Sequence, residues 1–214
     1  CAGAQQKRGE RIMSVILVIF SYLLGSVSFG YLIAKRVKNV DIRKMGSGNT
    51  GATNISRVLG IKYALIVFAL DLGKGLLAVL LAKWLLPSPW VTIFCAYGVL
   101  LGHNWPLYFS FKGGRGAATA LGIFFGIMPI AALIVFGIII VIILVARYVS
   151  VASITGAILM PFCVPLFDYP REYLIFGLSI TVLIIWRHIP NIKRLLRGKE
   201  LKIGEKVDIA PKGR

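Results

Sequence analysis

Residues 116–146 run for 31 positions without a charge. An α-helix needs roughly 20 apolar residues to cross a bilayer. Within hydrocarbon every backbone N–H and C=O must find its partner inside the protein, which favours helices for runs of this kind. Pro129 falls inside the run, and an interior proline removes a helical hydrogen bond and clashes with the preceding turn. The run is therefore expected to form a short helical piece over 116–128 and then a full span.

Five further apolar stretches follow the same logic. Residues 12–34 carry no charge, and Ser21, Gly25 and Ser28 share one helical face suited to close packing. Residues 63–86 are interrupted in mid-span by Asp71 and Lys74. Charges at such depth are candidates for function, but i,i+3 spacing lets them neutralise each other, and the pair is read as structural. Residues 90–109 begin after the tight break Pro87-Ser88-Pro89, and 149–167 and 173–189 complete the set. The fold class is thus all-α: a polytopic integral membrane protein with seven transmembrane helical segments, one of them short. The composition agrees, with 57% hydrophobic residues, 15% charged and a mean hydropathy of +0.82.

The chain carries a net charge of +17. Its cations lie between apolar stretches, so the charge speaks for membrane topology and phosphate-bearing partners rather than nucleic acid. Seven alternating segments place nineteen Lys and Arg on one side and five on the other, with Lys74 in the membrane. The cation-rich side is expected to be cytoplasmic, with the N-terminus outside and the C-terminus inside. Lys7, Arg8 and Arg11 are the one feature that disagrees. Residues 1–12 are expected to be a cloning remnant or a polar N-terminal extension, with Met13 the natural start. Residues 13–200 form a single membrane domain and 201–214 a basic tail. Cys95 and Cys163 lie in apolar segments and behave as small hydrophobes, and Cys1 joins no metal or redox pattern.

Three polar segments gather on the cytoplasmic side. The first is GSGNTGATN. Gly46 and Gly48 permit positive φ, so that backbone N–H groups can converge on an anion. Ser47, Asn49, Thr50, Thr53 and Asn54 add neutral donors, and Arg57 follows with charge. The G-x-x-x-x-G-K-[ST] spacing of a Walker A loop is missing. The second segment runs Lys112-Gly113-Gly114-Arg115-Gly116 into a helix, and a glycine turn opening a helix is a ready anion site. His103, just before it, suits either a substrate contact or a hydrogen bond within the bundle. In the third segment, RHIPNIKRLLRGKE, His188 and Asn191 share a helical face at the membrane surface. His188 can serve as base, phosphate donor or interfacial structural group. Neither histidine begins an H-x-x-x-x-D motif, the acids are too scattered for a magnesium site, and no zinc signature is present. Anion binding by cations and backbone is the common theme, and neither metal nor cofactor is expected.

Taken together, the three segments resemble the bacterial acyl-phosphate:glycerol-3-phosphate acyltransferases, the PlsY family. The family pattern G-S-G-N-P-G-A-T-N appears here as GSGNTGATN. G-H-x-x-P-x-F-x-x-F-K-G-G-K-G-x-A-T-A-L-G appears as GHNWPLYFSFKGGRGAATALG, and R-H-x-x-N-I-x-R-L as RHIPNIKRL. LGSVSFGYLIAK and YVSVASI also match. Thr50 stands where proline is usual, and Arg115 where lysine is usual; Arg keeps the charge but not the shape. The resemblance implies a multi-pass protein of the bacterial inner membrane that moves a fatty acyl group from acyl phosphate to glycerol 3-phosphate, with no covalent acyl-enzyme. It is expected to work as a monomer. Ser47, Arg57, Arg115 and His188 are the catalytic candidates. Gly46, Gly48, Asn49, Thr53, Asn54, His103, Lys112, Gly113, Gly114, Gly116 and Asn191 are the substrate-binding ones. The proton of the attacking hydroxyl goes either to His188 or to a substrate phosphate. A transporter or lipid-binding protein for phosphorylated small molecules is the competing class, since broken helices and glycine loops serve transport as well.

Overall fold

The first apolar run does not form one helix. In the computed structural model, which describes residues 2–205, α1 (Ala2–Ser26) stops at Val27 and Ser28, and α2 (Phe29–Lys38) resumes after them. The cause is Lys74 of α4 (Ile61–Leu85). Its buried ammonium lies 2.9 Å from Asp71 Oδ1 and donates to the Gly25 and Val27 carbonyls at 3.0 and 2.9 Å. An unbroken helix would use those carbonyls in its own ladder. A side chain that claims them is a recognised cause of a helix break. Asp71 and Lys74 do form the ion pair their spacing suggests, and the pair has recruited the neighbouring helix. Helix α1 also reaches back to Ala2, through residues set aside above as an extension.

The remaining helices are α3 (Ala52–Leu59), α5 (Pro89–Asn104), α6 (Ala117–Ile127), α7 (Pro129–Ala146), α8 (Val149–Leu166) and α9 (Arg171–Leu196). Proline opens α5 and α7, where its missing N–H costs nothing. As expected, Pro129 separates a short α6 from α7. Helix α5, in contrast, ends at Asn104 instead of reaching residue 109. Pro106 disfavours helical geometry in the residue before it, and the chain turns through a short 3₁₀ segment, Leu107–Phe109. Among the described residues, five helical lengths are long and apolar enough to cross a membrane: Gly3–Lys38, α4, α7, α8 and α9. Helices α5 and α6 are shorter, at 16 and 11 residues.

Glycine seams bring helix pairs into backbone contact. Gly25 of α1 sits against the Val99 carbonyl of α5, and Gly102 of α5 against the Tyr22 carbonyl of α1. Between α4 and α6, Gly75 faces the Thr119 carbonyl and Gly122 the Leu72 carbonyl. Without water to drive association, such close packing is a main source of helix adhesion in lipid. On the other flank, α6 to α9 pack around Met128, Ala132, Met160, Phe176 and Ile180, all essentially sealed.

The polar connections meet at one end of the bundle. Arg43 donates to the Phe109 carbonyl, Arg57 to Leu201, Arg187 to Gly114, and Arg147 to Ile203. These bonds tie the α2–α4 connection, the α5–α6 loop, the α7–α8 turn and the C-terminal segment together.

Two substitutions test this packing. Gly122→Ala, which forces a methyl onto the Leu72 carbonyl, should lower stability in detergent by about 1–3 kcal/mol. Gly137→Ala, whose new methyl meets nothing within 4 Å, should be neutral or slightly stabilising; equal losses would refute the seam. Lys74→Met leaves the Asp71 carboxylate buried without its cation and should cost about 3–5 kcal/mol. Adding Asp71→Asn should recover part of that loss in the same unfolding measurement, and a double variant as unstable as the sum of the singles would sink the coupling.

Candidate active site

The Gly46–Asn54 segment is built around one side chain. Buried Asn54 accepts the Ser47 N–H at 2.9 Å through Oδ1. Its Nδ2 donates to the carbonyls of Met45 and Asn49 at 3.0 and 2.8 Å. Gly46 and Gly48 hold left-handed backbone, φ +55° and +74°, and any side chain at Gly46 would strike Asn54 Oδ1. Asn49 Oδ1 accepts the Gly51 N–H at 3.0 Å, and Gly51 opens α3. This short helix was not anticipated from the sequence. Its signal was present, because Ile55, Val58 and Leu59 follow i, i+3, i+4 spacing.

The second loop is pinned from two directions. Gly114 donates its N–H to the His103 carbonyl and leaves no room for a side chain over the His103 imidazole. His103 Nδ1 lies 3.4 Å from Asp71 Oδ1, so the loop rests on the buried charge pair. From outside, Arg187 donates to the Gly114 and Asn104 carbonyls and lies 5.1 Å over the Trp105 ring. Gly116, with φ +86°, then starts α6.

The third segment closes the site through a residue absent from the candidate set. Glu200 is buried, and its carboxylate accepts from Asn191 Nδ2 at 2.6 Å, Arg194 Nε at 2.6 Å and Ser150 Oγ at 3.2 Å. Burial opposes its charge, but these donors and the Arg194 cation hold the carboxyl below its usual range. Its position as the one acid among five cations in RHIPNIKRLLRGKE was the available clue. Ser150 lay in the YVSVASI match and was likewise not singled out.

These pieces surround one cavity of about 390 Å³. At its polar end stand Asn49, Thr53 and Arg57 from the first segment, and His103, Arg115 and Gly116 from the second. His188, Asn191 and Glu200 come from the third. Gly46, Ser47, Gly48, Asn54, Lys112, Gly113 and Gly114 are not among the lining residues; all but Lys112 shape the two loops, and Lys112 is exposed beside them. Neither α3 nor α6 has a side-chain cap, and Gly51, Ala52, Gly116 and Ala117 all line the cavity. Two uncapped helix N-termini therefore present free N–H groups and positive dipole ends there.

The cations press on one another. Burial and then the charge of Arg194 pull the Arg115 guanidinium down to about 10, with Arg57 and Arg187 adding to the effect. Burial and Arg194 also lower Arg57, while Glu200 partly offsets them. Both groups remain cationic at neutral pH in a site that favours anions. Nδ1 of His188 lies 2.8 Å from the Ile184 carbonyl, and since a carbonyl only accepts, Nδ1 carries the proton and a neutral ring keeps its lone pair on Nε2. Asn191 Oδ1 is buried without a hydrogen-bond partner among the described residues. Beyond this polar end the cavity continues between α4, α6, α7, α8 and α9, where its walls are aliphatic and aromatic.

The glycerol-3-phosphate acyltransferase family profile matches residues 15–198. A glycerol-3-phosphate acyltransferase of Desulforamulus reducens is 44% identical over 195 residues, covering 91% of this chain and 98% of that protein. One of Aquifex aeolicus is 48% identical over 188 residues, with 87% and 97% covered. Two crystal structures of PlsY, an integral membrane glycerol 3-phosphate acyltransferase, superpose with TM-scores of 0.85 and 0.83. They represent its glycerol 3-phosphate and lysophosphatidic acid forms, each at 46% identity over 90% of this chain and 96% of that one. Three polar motifs in order, the helical bundle that unites them and matches spanning nearly the whole chain lead to one conclusion: this integral membrane protein belongs to the glycerol-3-phosphate acyltransferase family.

Proposed function

We propose that the chain transfers a fatty acyl group from an acyl phosphate to the 1-hydroxyl of glycerol 3-phosphate. The products are 1-acyl-sn-glycerol 3-phosphate (lysophosphatidic acid) and inorganic phosphate, in the first step of bacterial phospholipid synthesis. One observation carries this reading: a cationic end with two helix N-termini and an apolar end form a single cavity. That shape suits a donor with a phosphate at one end and a hydrocarbon tail at the other. The relatives' names, and the two forms in which PlsY was crystallised, support the acceptor and the product. A cavity that is polar at one end only is poorly suited to transport.

In this reading Arg57, Arg115 and the N-termini of α3 and α6 hold the donor phosphate and stabilise charge as it leaves. Asn49 and Thr53 add neutral donors, while Gly46, Ser47, Gly48 and Asn54 act by fixing the loop. His103, Gly113 and Gly114 do the same for the second loop. Exposed Lys112 draws anionic substrates toward the mouth. Asn191 Oδ1 and His188 Nε2 accept hydrogen bonds from the glycerol hydroxyls. The 1-hydroxyl oxygen attacks the acyl carbonyl carbon, the bond from that carbon to the phosphate oxygen breaks, and the phosphate departs with the hydroxyl proton. Because the donor is already activated, no covalent acyl-enzyme is needed. His188 orients the nucleophile rather than carrying its proton away, in keeping with the arginines around it. The site faces the cytoplasm of the bacterial inner membrane, as the nineteen-to-five cation asymmetry indicates. The chain acts as a monomer, with α5 and α6 as the short members of a seven-segment bundle.

Purified protein given palmitoyl phosphate and glycerol 3-phosphate should release lysophosphatidic acid and phosphate in equal amounts. Product from acyl-CoA or acyl carrier protein but none from acyl phosphate would overturn the donor. With both substrates saturating, His188→Ala should lose about 10²-fold in kcat, the order of loss that misplacing a reacting group brings. His188→Gln keeps an acceptor but cannot serve as a base, and should recover at least a tenth of the parent rate. A Gln variant as inactive as the Ala variant would make His188 the base.

A further inference from the structure

The apolar half of the cavity is closed at its far end. Moving away from the polar end, the last lining residues on their helices are Phe124 of α6, Val135 of α7, Met160 of α8 and Ile180 of α9, each at most 3% exposed. Behind them Met128, Ala132 and Phe176 are fully sealed in the same core, with the Phe124 and Phe176 rings edge to face at 5.8 Å. A wall of this kind does not yield to one more methylene without cost, because protein interiors are close-packed.

The depth above this floor is readable from α8. Ser150, bonded to Glu200 at the polar end, and Met160 lie ~15 Å apart at the helical rise. With carbon–carbon bonds of ~1.5 Å at ~111°, an extended chain advances ~1.25 Å per carbon, so roughly the twelfth carbon reaches Met160. A longer tail has to coil or escape sideways between α4 and α7. There Leu65 and Ile140 line the cavity and are also exposed on the outer surface, at 59% and 40%.

We propose that Met160, with Phe124, Val135 and Ile180, forms a floor that sets which acyl-chain lengths the protein accepts. This rests on the acyl-transfer reading above. Met160 is the adjustable member, because it is the only flexible, unbranched side chain of the four. Ala157 lines the cavity about 10 Å below Ser150 on the same helix, partway down the path of the tail.

The test is a competition in one vessel. An equimolar mixture of acyl phosphates from decanoyl to stearoyl is offered with glycerol 3-phosphate, and the lysophosphatidic acids formed are resolved by mass. Each buried methylene is worth about a fourfold preference. Met160→Ala, which opens room for two to three carbons, should raise the ratio of longer to shorter products by roughly 15-fold or more. Ala157→Leu should move the same ratio about tenfold the other way. Because the ratio is internal to each sample, it does not depend on how much of a variant folds. If both variants turn over with the parent's ratio unchanged within twofold, the tail leaves sideways into the bilayer and the floor measures nothing. If the parent makes no product from any acyl phosphate, the transfer reading falls and the inference falls with it.

Discussion

The Asp71–Lys74 pair organises more of this molecule than any other contact. Sealed in mid-bundle, it must satisfy its remaining polar valences within the protein, since uncompensated charges there are strongly destabilising. Lys74 does so by taking the Gly25 and Val27 carbonyls, which breaks the first helix. Asp71 does so by approaching His103 at the end of α5. The break sends α2 off independently, and Gly30 of α2 comes to rest against the Thr50 carbonyl. His103 in turn lies under Gly114. One ion pair thus sets the footing of both glycine loops, although it donates nothing to the loops themselves.

The site assembled on that footing is electrostatically unbalanced. Arg57, Arg115 and Arg194 crowd around the buried Glu200 carboxylate, Arg187 adds its charge to Arg115, and two helix N-termini add positive potential to the same space. The protein keeps this arrangement in place by spending side-chain contacts on backbone carbonyls: Arg187 on Gly114 and Asn104, Arg57 on Leu201. Arg115 is different, since among the described residues it has no hydrogen-bond partner in the protein. An arginine at this position brings a planar, five-donor fork to a task that a lysine would meet with a point charge.

Much of this was legible in the sequence, because the bilayer reduces structure to length and hydropathy. The Pro129 division, the small-residue face of α1, the helical continuation through His188 and Asn191 and the gathering of three polar segments at one site all followed from local rules. The failures are equally instructive. Hydropathy has no term for a lysine three helices along claiming carbonyls, so residues 12–34 looked continuous. Hydropathy is equally blind to Pro106, which disfavours helical geometry in the residue before it, so the apolar stretch 90–109 overstates the length of α5. Helix α3 hid in a glycine-rich stretch because its apolar face spans only two turns. Glu200 escaped because an acid beside many cations reads as solvated charge until the fold shows it buried. Within the tail, residues 206–214 lie outside the described part of the chain.

Glu200 carries a consequence for how the protein is made. Its carboxylate joins α8 to α9 through Ser150, Asn191 and Arg194, and the adjoining Leu201 carbonyl takes the Arg57 guanidinium from α3. All of these partners are synthesised and inserted before Glu200 leaves the ribosome. The bundle can therefore form in the membrane with its polar end still open, and the Glu200 segment, made after every one of its partners, draws it shut. A product interrupted before Glu200 is left with its helices made but its site unfinished.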